Sequence, residues 1–105
     1  MLNAKRVLLV VVVLTATIFT SSRITAAEYV IEIRQSKFVP DRIEAQPGDT
    51  ITWINHDIVP HTATATDQSW DTGQINSGQA ISIKLPNIFG RTYLCLYHPV
   101  MRGSL

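Results

Sequence analysis

Residues 28–105 predict an all-β domain, a sandwich or barrel of short strands, and two observations support this. Apolar and polar residues alternate over several short segments, which is typical of half-buried strands. Turn-forming residues, such as those of Pro47-Gly48-Asp49, separate these segments at close spacing. No long stretch of helical periodicity follows residue 27, so a single β domain is the simplest interpretation.

Six strands are predicted from the alternation. They lie at residues 28–34, around Ile43, and at 50–55, 61–66, 81–85 and 91–96. In the fourth of them β-branched residues alternate with small ones, so His61, Ala63 and Ala65 should point to one side. Residues 67–78 are rich in Asp, Ser, Gly and Asn and are predicted to form a loop. Four aromatic side chains are expected to fill the core: Phe38, Trp53, Trp70 and Tyr93.

The first 27 residues have the pattern of a secretory signal peptide. Lys5 and Arg6 precede a 13-residue apolar run at 7–19, and small residues end the segment at Ala27. We therefore expect residues 1–27 to be removed on export to the periplasm or beyond, which leaves a domain of residues 28–105. The run is short of the roughly 20 residues that span a bilayer, so no stable membrane insertion is expected after cleavage. An uncleaved membrane anchor is the alternative, since Arg23 lies close behind the run.

Charge argues against one class of partner. The whole chain has a formal net charge of +1. Removal of Lys5, Arg6 and Arg23 with the leader leaves six basic and eight acidic side chains, a net charge of −2. Such a domain offers no broad positive surface to phosphate backbones, so nucleic-acid binding is not expected.

The chain has a single cysteine, Cys95, although export would permit disulfides. No internal disulfide can form. A lone cysteine in an exported protein indicates an intermolecular bridge, a reactive thiol or a metal ligand, and its neighbours must decide among these.

Cys95, His98 and Met101 follow one another at successive spacings of three. A thiolate, an imidazole and a thioether form a soft donor set that suits copper, and the absence of a carboxylate makes calcium and magnesium poor candidates. The thioether also argues against structural zinc, whose ligands are cysteine, histidine and carboxylates. A trigonal blue-copper site needs a second histidine. His61, which follows Pro60 at the start of a predicted strand, can supply it.

Several segments together resemble the cupredoxins, and within them the amicyanin and plastocyanin-like group. They are PGDTITWIN at 47–55, Pro60-His61, Tyr93-Leu94-Cys95 with His98-Pro99, and Met101-Arg102-Gly103. The resemblance covers nearly all of residues 28–105. The two-residue gaps on both sides of His98 are similar to the short ligand loop of the amicyanins.

The resemblance implies a Greek-key β-sandwich that binds one type 1 copper ion. It implies that His61, Cys95 and His98 bind copper in a plane, with Met101 as the axial ligand. It further implies a monomeric electron carrier and not an enzyme. The redox partners implied are proteins such as a dehydrogenase or a c-type cytochrome, which would dock on an apolar rim near the second histidine ligand. Five residues are expected to form this rim: Ile58, Val59, Pro60, Pro99 and Val100.

One residue departs from the family pattern near the expected site. An asparagine usually follows the first histidine ligand and braces the two ligand loops, whereas this chain has Thr62. We expect the Thr62 hydroxyl to replace it through one hydrogen bond. The strand after the methionine is also shorter than in the family, since the sequence stops at Leu105.

Other functions are considered as alternatives. A copper-trafficking or copper-buffering protein would use a similar donor set, but such proteins favour exposed sites rich in methionine or histidine. A domain of a larger oxidase complex would look the same in sequence. A thiol enzyme built on Cys95 and His98 would have no use for Met101 at this spacing.

The remaining ionisable side chains are expected to be solvated. His56 could be a second metal ligand or a tuning group, but a solvated loop histidine is the simpler interpretation. The acidic residues are scattered and are expected to be ordinary surface groups: Asp41, Glu44, Asp49, Asp57, Asp67 and Asp71.

Overall fold

The computed structural model of the chain describes residues 10–18 and 25–105. The predicted signal peptide therefore lies largely outside the described residues. Residues 10–18 form neither helix nor strand, and their side chains are exposed. In the described part of the chain, no helix has the length and apolar character needed to cross a membrane.

The domain consists of eight short strands in two four-stranded sheets. The strands are β1 Glu28–Arg34, β2 Lys37–Val39, β3 Thr50–Asn55, β4 His61–Ala65, β5 Asp71–Ile75, β6 Ala80–Lys84, β7 Thr92–Leu94 and β8 Arg102–Ser104. One sheet has the order β2-β1-β3-β6 and the other β5-β4-β7-β8. Strands β1 and β3 are parallel, and the other pairs are antiparallel. The prediction of an all-β sandwich is confirmed.

The predicted alternation places the core between the sheets. Ile31 and Ile33 of β1 and Ile51 of β3 are fully buried, while their sequence neighbours are more exposed. The four expected aromatic side chains are all buried and touch one another. Trp53 stacks on Trp70 with ring centroids 5.3 Å apart. Tyr93 meets Trp53 edge-on at 5.7 Å and Phe38 at 4.7 Å.

The prediction of a strand around Ile43 is wrong, because the strand forms earlier in the sequence. The chain instead forms β2 directly after β1, through a two-residue turn at Gln35 and Ser36 that takes positive φ values of 52° and 55°. Residues near Ile43 make only a bridge to Ser104. Hairpin turns of this kind usually carry Asn or Gly, so the Gln-Ser pair gave no local signal of a turn.

The loop predicted at 67–78 contains a strand, β5. It is an edge strand that pairs only with β4, and Ile75 is its one buried residue. A strand of this type needs few apolar residues, so its polar composition resembles that of a loop. Where β5 pairs with β4, the register shifts between Thr62 and Thr64, which indicates a β-bulge.

Ala27, the residue before the predicted boundary at 28, is hydrogen-bonded to the domain. Ala27 donates its N–H to a carboxylate oxygen of Asp49 at 2.8 Å, and the Thr50 N–H donates to the Ala27 carbonyl at 3.0 Å. Asp49 also accepts the Gln46 N–H at 2.7 Å and is 3% exposed. The expectation that Asp49 is an ordinary surface carboxylate is therefore wrong.

Asn55, the last residue of β3, fixes the loop that leads to the expected site. Its side-chain NH₂ group donates to the Val59 carbonyl at 2.9 Å and to the Ile75 carbonyl at 3.0 Å. Its side-chain oxygen accepts the Asp57 N–H at 2.9 Å. Asn55 is fully buried, so these bonds form without competition from water. They tie residues 56–60 to both sheets.

We expect Asn55→Ala to lower the free energy of unfolding of the copper-free protein by about 2–4 kcal/mol. The substitution removes three hydrogen bonds and leaves the buried Ile75 carbonyl without this partner. Chemical denaturation followed by circular dichroism measures the change. Asn76→Ala is the matched control, because the exposed Asn76 side chain bonds only to Gln74, and its effect should stay within about 0.5 kcal/mol. Equal stability of the two variants would contradict the role given to Asn55.

Candidate metal centre

The structure brings together three of the four predicted site residues as a cluster of donor atoms. The Nδ1 atoms of His61 and His98 each lie 3.7 Å from Cys95 Sγ. One ligand atom from each of the three residues lies within 4.8 Å of the other two. His61 and Cys95 are fully buried, and His98 is partly exposed. In the described residues this is the only cluster of its kind.

Two successive backbone turns explain the spacing of three along the ligand loop. The His98 N–H donates to the Cys95 carbonyl at 3.2 Å, and the Met101 N–H donates to the His98 carbonyl at 2.8 Å. The loop closes where the Cys95 N–H donates to the Met101 carbonyl at 3.0 Å. Cys95 therefore lies just past the end of β7, and Met101 lies just before β8. Met101 is 3% exposed, so the fourth predicted residue is buried at the base of the same loop.

Asp57 holds the far side of the His61 ring. Its Oδ2 lies 2.8 Å from His61 Nε2. The same carboxylate accepts the Gln35 N–H at 2.7 Å and the Ser36 N–H at 2.8 Å, which anchors it to the turn between β1 and β2. The expectation that Asp57 is a solvated surface group is wrong. A carboxylate partner for a metal-binding histidine is a common arrangement, but no local pattern in the sequence indicated which acid would take that place.

The charge of Asp57 fixes the orientation of the His61 ring. Partial burial raises the pKa of Asp57, but hydrogen bonds from the Ser36 N–H, from His61 and from the Gln35 N–H outweigh it, so the net pKa is lowered. The carboxylate is then ionised at neutral pH and can only accept hydrogen bonds. The hydrogen bond therefore runs from His61 Nε2 to Asp57, and Nδ1 is the ring nitrogen that faces Cys95.

Thr62 links the strand that carries His61 to the loop that carries Cys95. Its N–H donates to Cys95 Sγ at 3.3 Å. Its hydroxyl oxygen accepts the Leu96 N–H at 2.9 Å. The expected hydrogen bond between the Thr62 hydroxyl and the second ligand loop is therefore present, with Thr62 as the acceptor. The single acceptor oxygen of Thr62 takes the place of the asparagine side chain that would brace the two loops.

The donor separations fit a metal ion bound between the three residues. With bond lengths of about 2.3 Å to sulfur and about 2.0 Å to imidazole nitrogen, typical of a first-row ion such as zinc, donors in a trigonal or tetrahedral arrangement are separated by about 3.5–3.7 Å. Both sulfur-to-nitrogen distances agree with this separation. A thiolate with two imidazoles in trigonal arrangement is the donor set of blue-copper sites, so the residues fit copper.

Several apolar side chains are exposed on the loops that carry or precede the donors. Five of them have substantial exposure: Ile58, Val59, Leu96, Tyr97 and Val100. Ile58 is 92% exposed and Val100 is 94% exposed, so neither contributes to the core. His56 lies apart from the cluster, with its Nε2 atom 3.2 Å from Glu32. In the described residues it has no second histidine or cysteine with which to bind a metal.

Comparison with known proteins finds amicyanins among the relatives of the chain. No family model matches the chain. Amicyanin from Paracoccus denitrificans is 29% identical over 100 residues, which cover 86% of this chain and 76% of that protein. Amicyanin-alpha from Methylorubrum extorquens is 24% identical over 80 residues, which cover 71% of this chain and 67% of that protein.

Solved structures support the same relationship. Amicyanin from Paracoccus versutus superposes with a TM-score of 0.62 and 26% identity, over 72% of this chain and 76% of that one. A copper-containing nitrite reductase from Thermus scotoductus reaches a TM-score of 0.63 at 22% identity, but the match spans 21% of that chain and shows a shared fold only. In sequence and in its sandwich fold, with the cluster of His61, Cys95 and His98, the chain is similar to the amicyanins.

Proposed function

We propose that the chain is an exported type 1 blue copper protein that carries single electrons between redox proteins. The observation that supports this most directly is the donor cluster, in which two imidazole nitrogens each lie 3.7 Å from the Cys95 thiol. A bound copper ion supplies a one-electron couple between Cu(II) and Cu(I). We assign His61, Cys95 and His98 to the plane of the site and Met101 to the axial position.

The chain holds these donors in place through contacts outside the cluster. Asp57 fixes the His61 ring, and Thr62 ties the Cys95 loop to β4. Backbone bonds within the loop fix His98 and Met101 relative to Cys95. Donors that are held from outside the site cannot move far when the charge of the metal changes. A small rearrangement is what fast outer-sphere electron transfer requires.

The burial of the donor residues favours an electron carrier over an enzyme or a copper carrier. A catalytic metal site keeps an open position for substrate, whereas four protein donors would fill this one. His61 and Cys95 are inaccessible to solvent, so a partner could not readily exchange ligands with them. Copper delivery or buffering, which needs such exchange, is for this reason the less favoured function.

We propose that electrons enter and leave through the His98 edge of the site. His98 is the one partly exposed donor in the cluster, and the exposed apolar side chains of Ile58 and Val100 lie close in sequence to the donors. An apolar patch of this kind on a small monomer marks a site of transient protein contact. The partners proposed are a dehydrogenase as donor and a c-type cytochrome as acceptor, and the protein is proposed to act as a monomer in the periplasm after removal of residues 1–27.

We expect the copper-loaded protein to be intensely blue and its Cys95→Ser variant to be colourless. The colour arises from charge transfer between a thiolate and Cu(II) in a trigonal site, and serine cannot supply a thiolate. Visible absorption after addition of one equivalent of Cu(II) measures this. His56→Ala is the control, since His56 lies outside the cluster, and it should keep the full absorption. A wild-type protein that binds one copper ion and stays colourless would refute the proposed function.

We expect Asp57→Ala to weaken copper binding by about 10–100-fold, because the partner of a metal-binding histidine orients the ring and raises its basicity. Competition with a chelator of known affinity gives the dissociation constant, and circular dichroism confirms that the variant is folded. Glu44→Ala removes an exposed acid whose carboxylate lies 3.8 Å from Arg42 and should leave the affinity unchanged. An Asp57→Ala affinity equal to that of wild type would show that His61 needs no support from Asp57.

A further inference from the structure

A chain of hydrogen bonds runs from the edge strand β5 to the ligand loop. Asp71 Oδ1 accepts the Thr64 hydroxyl at 2.9 Å. The hydroxyl oxygens of Thr64 and Thr62 are 2.9 Å apart. Thr62 Oγ1 in turn accepts the Leu96 N–H at 2.9 Å. These hydrogen bonds connect a carboxylate of β5 to Leu96, the residue that follows Cys95.

The number of available protons fixes the direction of every link. An ionised carboxylate only accepts, so the single hydroxyl proton of Thr64 goes to Asp71. Thr64 must then accept from its neighbour, and the single hydroxyl proton of Thr62 goes to Thr64. The Thr62 oxygen is left to accept the Leu96 N–H. All three bonds therefore point toward Asp71, and each one polarises the next.

Burial makes this chain of hydrogen bonds sensitive to the loss of either threonine hydroxyl. Thr62 is 2% exposed and Thr64 is 7% exposed, so water cannot easily replace a missing partner. The bulge between Thr62 and Thr64 in β4 is where the two hydroxyls meet. Asp71 is itself fixed by the Gly73 N–H, which donates to the same Oδ1 atom at 2.8 Å.

Thr62 connects this chain of hydrogen bonds to the sulfur of Cys95. Its N–H donates to Cys95 Sγ at 3.3 Å, while its side chain holds the next residue of the loop. A hydrogen bond to a metal-binding thiolate withdraws electron density from sulfur, which is a recognised control on the potential of copper sites. The length of this bond depends on where Thr62 lies, and Thr64 and Asp71 determine where the Thr62 side chain lies.

We propose that Thr64 and Asp71 are positioning residues that act through Thr62 to set the hydrogen bond at the Cys95 sulfur and hence the reduction potential. The proposal rests on the proposed copper-binding function. It adds two residues that lie outside the donor cluster and make no contact with it. Asp71, which the sequence suggested was an ordinary surface acid, is the final acceptor in this series of hydrogen bonds.

The test compares Thr64→Val with Thr64→Ser. Valine keeps the shape of threonine and removes its hydroxyl, whereas serine keeps the hydroxyl. Thr66→Val is the matched control, because the exposed Thr66 hydroxyl pairs with Thr92 at 2.8 Å and has no link to this chain. Two quantities are measured: the reduction potential of the copper-loaded protein by voltammetry, and the hydrogen-exchange rate of the Leu96 amide in the copper-free protein by NMR.

In Thr64→Val we expect the potential to fall, since a weaker hydrogen bond to sulfur stabilises the reduced state less. The Leu96 amide should exchange about fivefold faster or more, the effect of one lost hydrogen bond. Thr64→Ser should restore both quantities, and Thr66→Val should change neither. Asp71→Asn, which keeps an acceptor oxygen, should lie between wild type and Thr64→Val.

An unchanged potential in copper-loaded Thr64→Val would overturn the proposal, even if Leu96 exchange becomes faster, because the chain would then only brace the loop. An unchanged exchange rate would overturn it as well. Failure of the wild-type protein to bind copper would instead refute the proposed function, and the exchange rate of the copper-free protein would still decide whether Thr64 positions the loop.

Discussion

The candidate site depends on the contact between the start of β4 and the end of β7. Thr62 forms it with two hydrogen bonds, one from its N–H to Cys95 Sγ and one to its hydroxyl from the Leu96 N–H. Because Thr62 is the neighbour of His61, the contact sets the distance between the first histidine and the cysteine. The turn that follows Cys95 then places His98. Donors from two distant parts of the sequence thus meet through one residue that is not a donor.

The other sheet supports the site through polar groups of a single loop. Asn55 ends β3, bonds to Val59 and Asp57 in the loop that follows, and makes a third, buried bond to Ile75 of β5. Asp57, inside that loop, joins the turn after β1 to the ring of His61. The loop is therefore held by both sheets and has little freedom to rearrange. A site held from both sheets suits a reaction in which charge changes and geometry does not.

The features predicted from the sequence are those that local pattern encodes. Alternation located β1, β3 and β6, and the spacing of Cys95, His98 and Met101 indicated a soft metal site. The β2 hairpin was missed because its Gln35-Ser36 turn lacks the usual residues, and β5 was missed because an edge strand can be polar. Asp57 and Asp71 resembled ordinary surface acids, since a partner such as His61 or Thr64 is recognised only once the chain has folded. Thr62 was the exception, because the family resemblance indicated what its hydroxyl should do.

A scaffold that fixes the donors should impose nearly the same coordination on both oxidation states. X-ray absorption at the copper edge measures this directly on the oxidised and the reduced protein at pH 8. We expect one sulfur and two nitrogen donors at short distance in both states, with little change in any distance and no oxygen donor from water. Loss of a nitrogen donor on reduction, or a water oxygen in either state, would contradict a site held rigid by Thr62, Asp57 and the ligand loop.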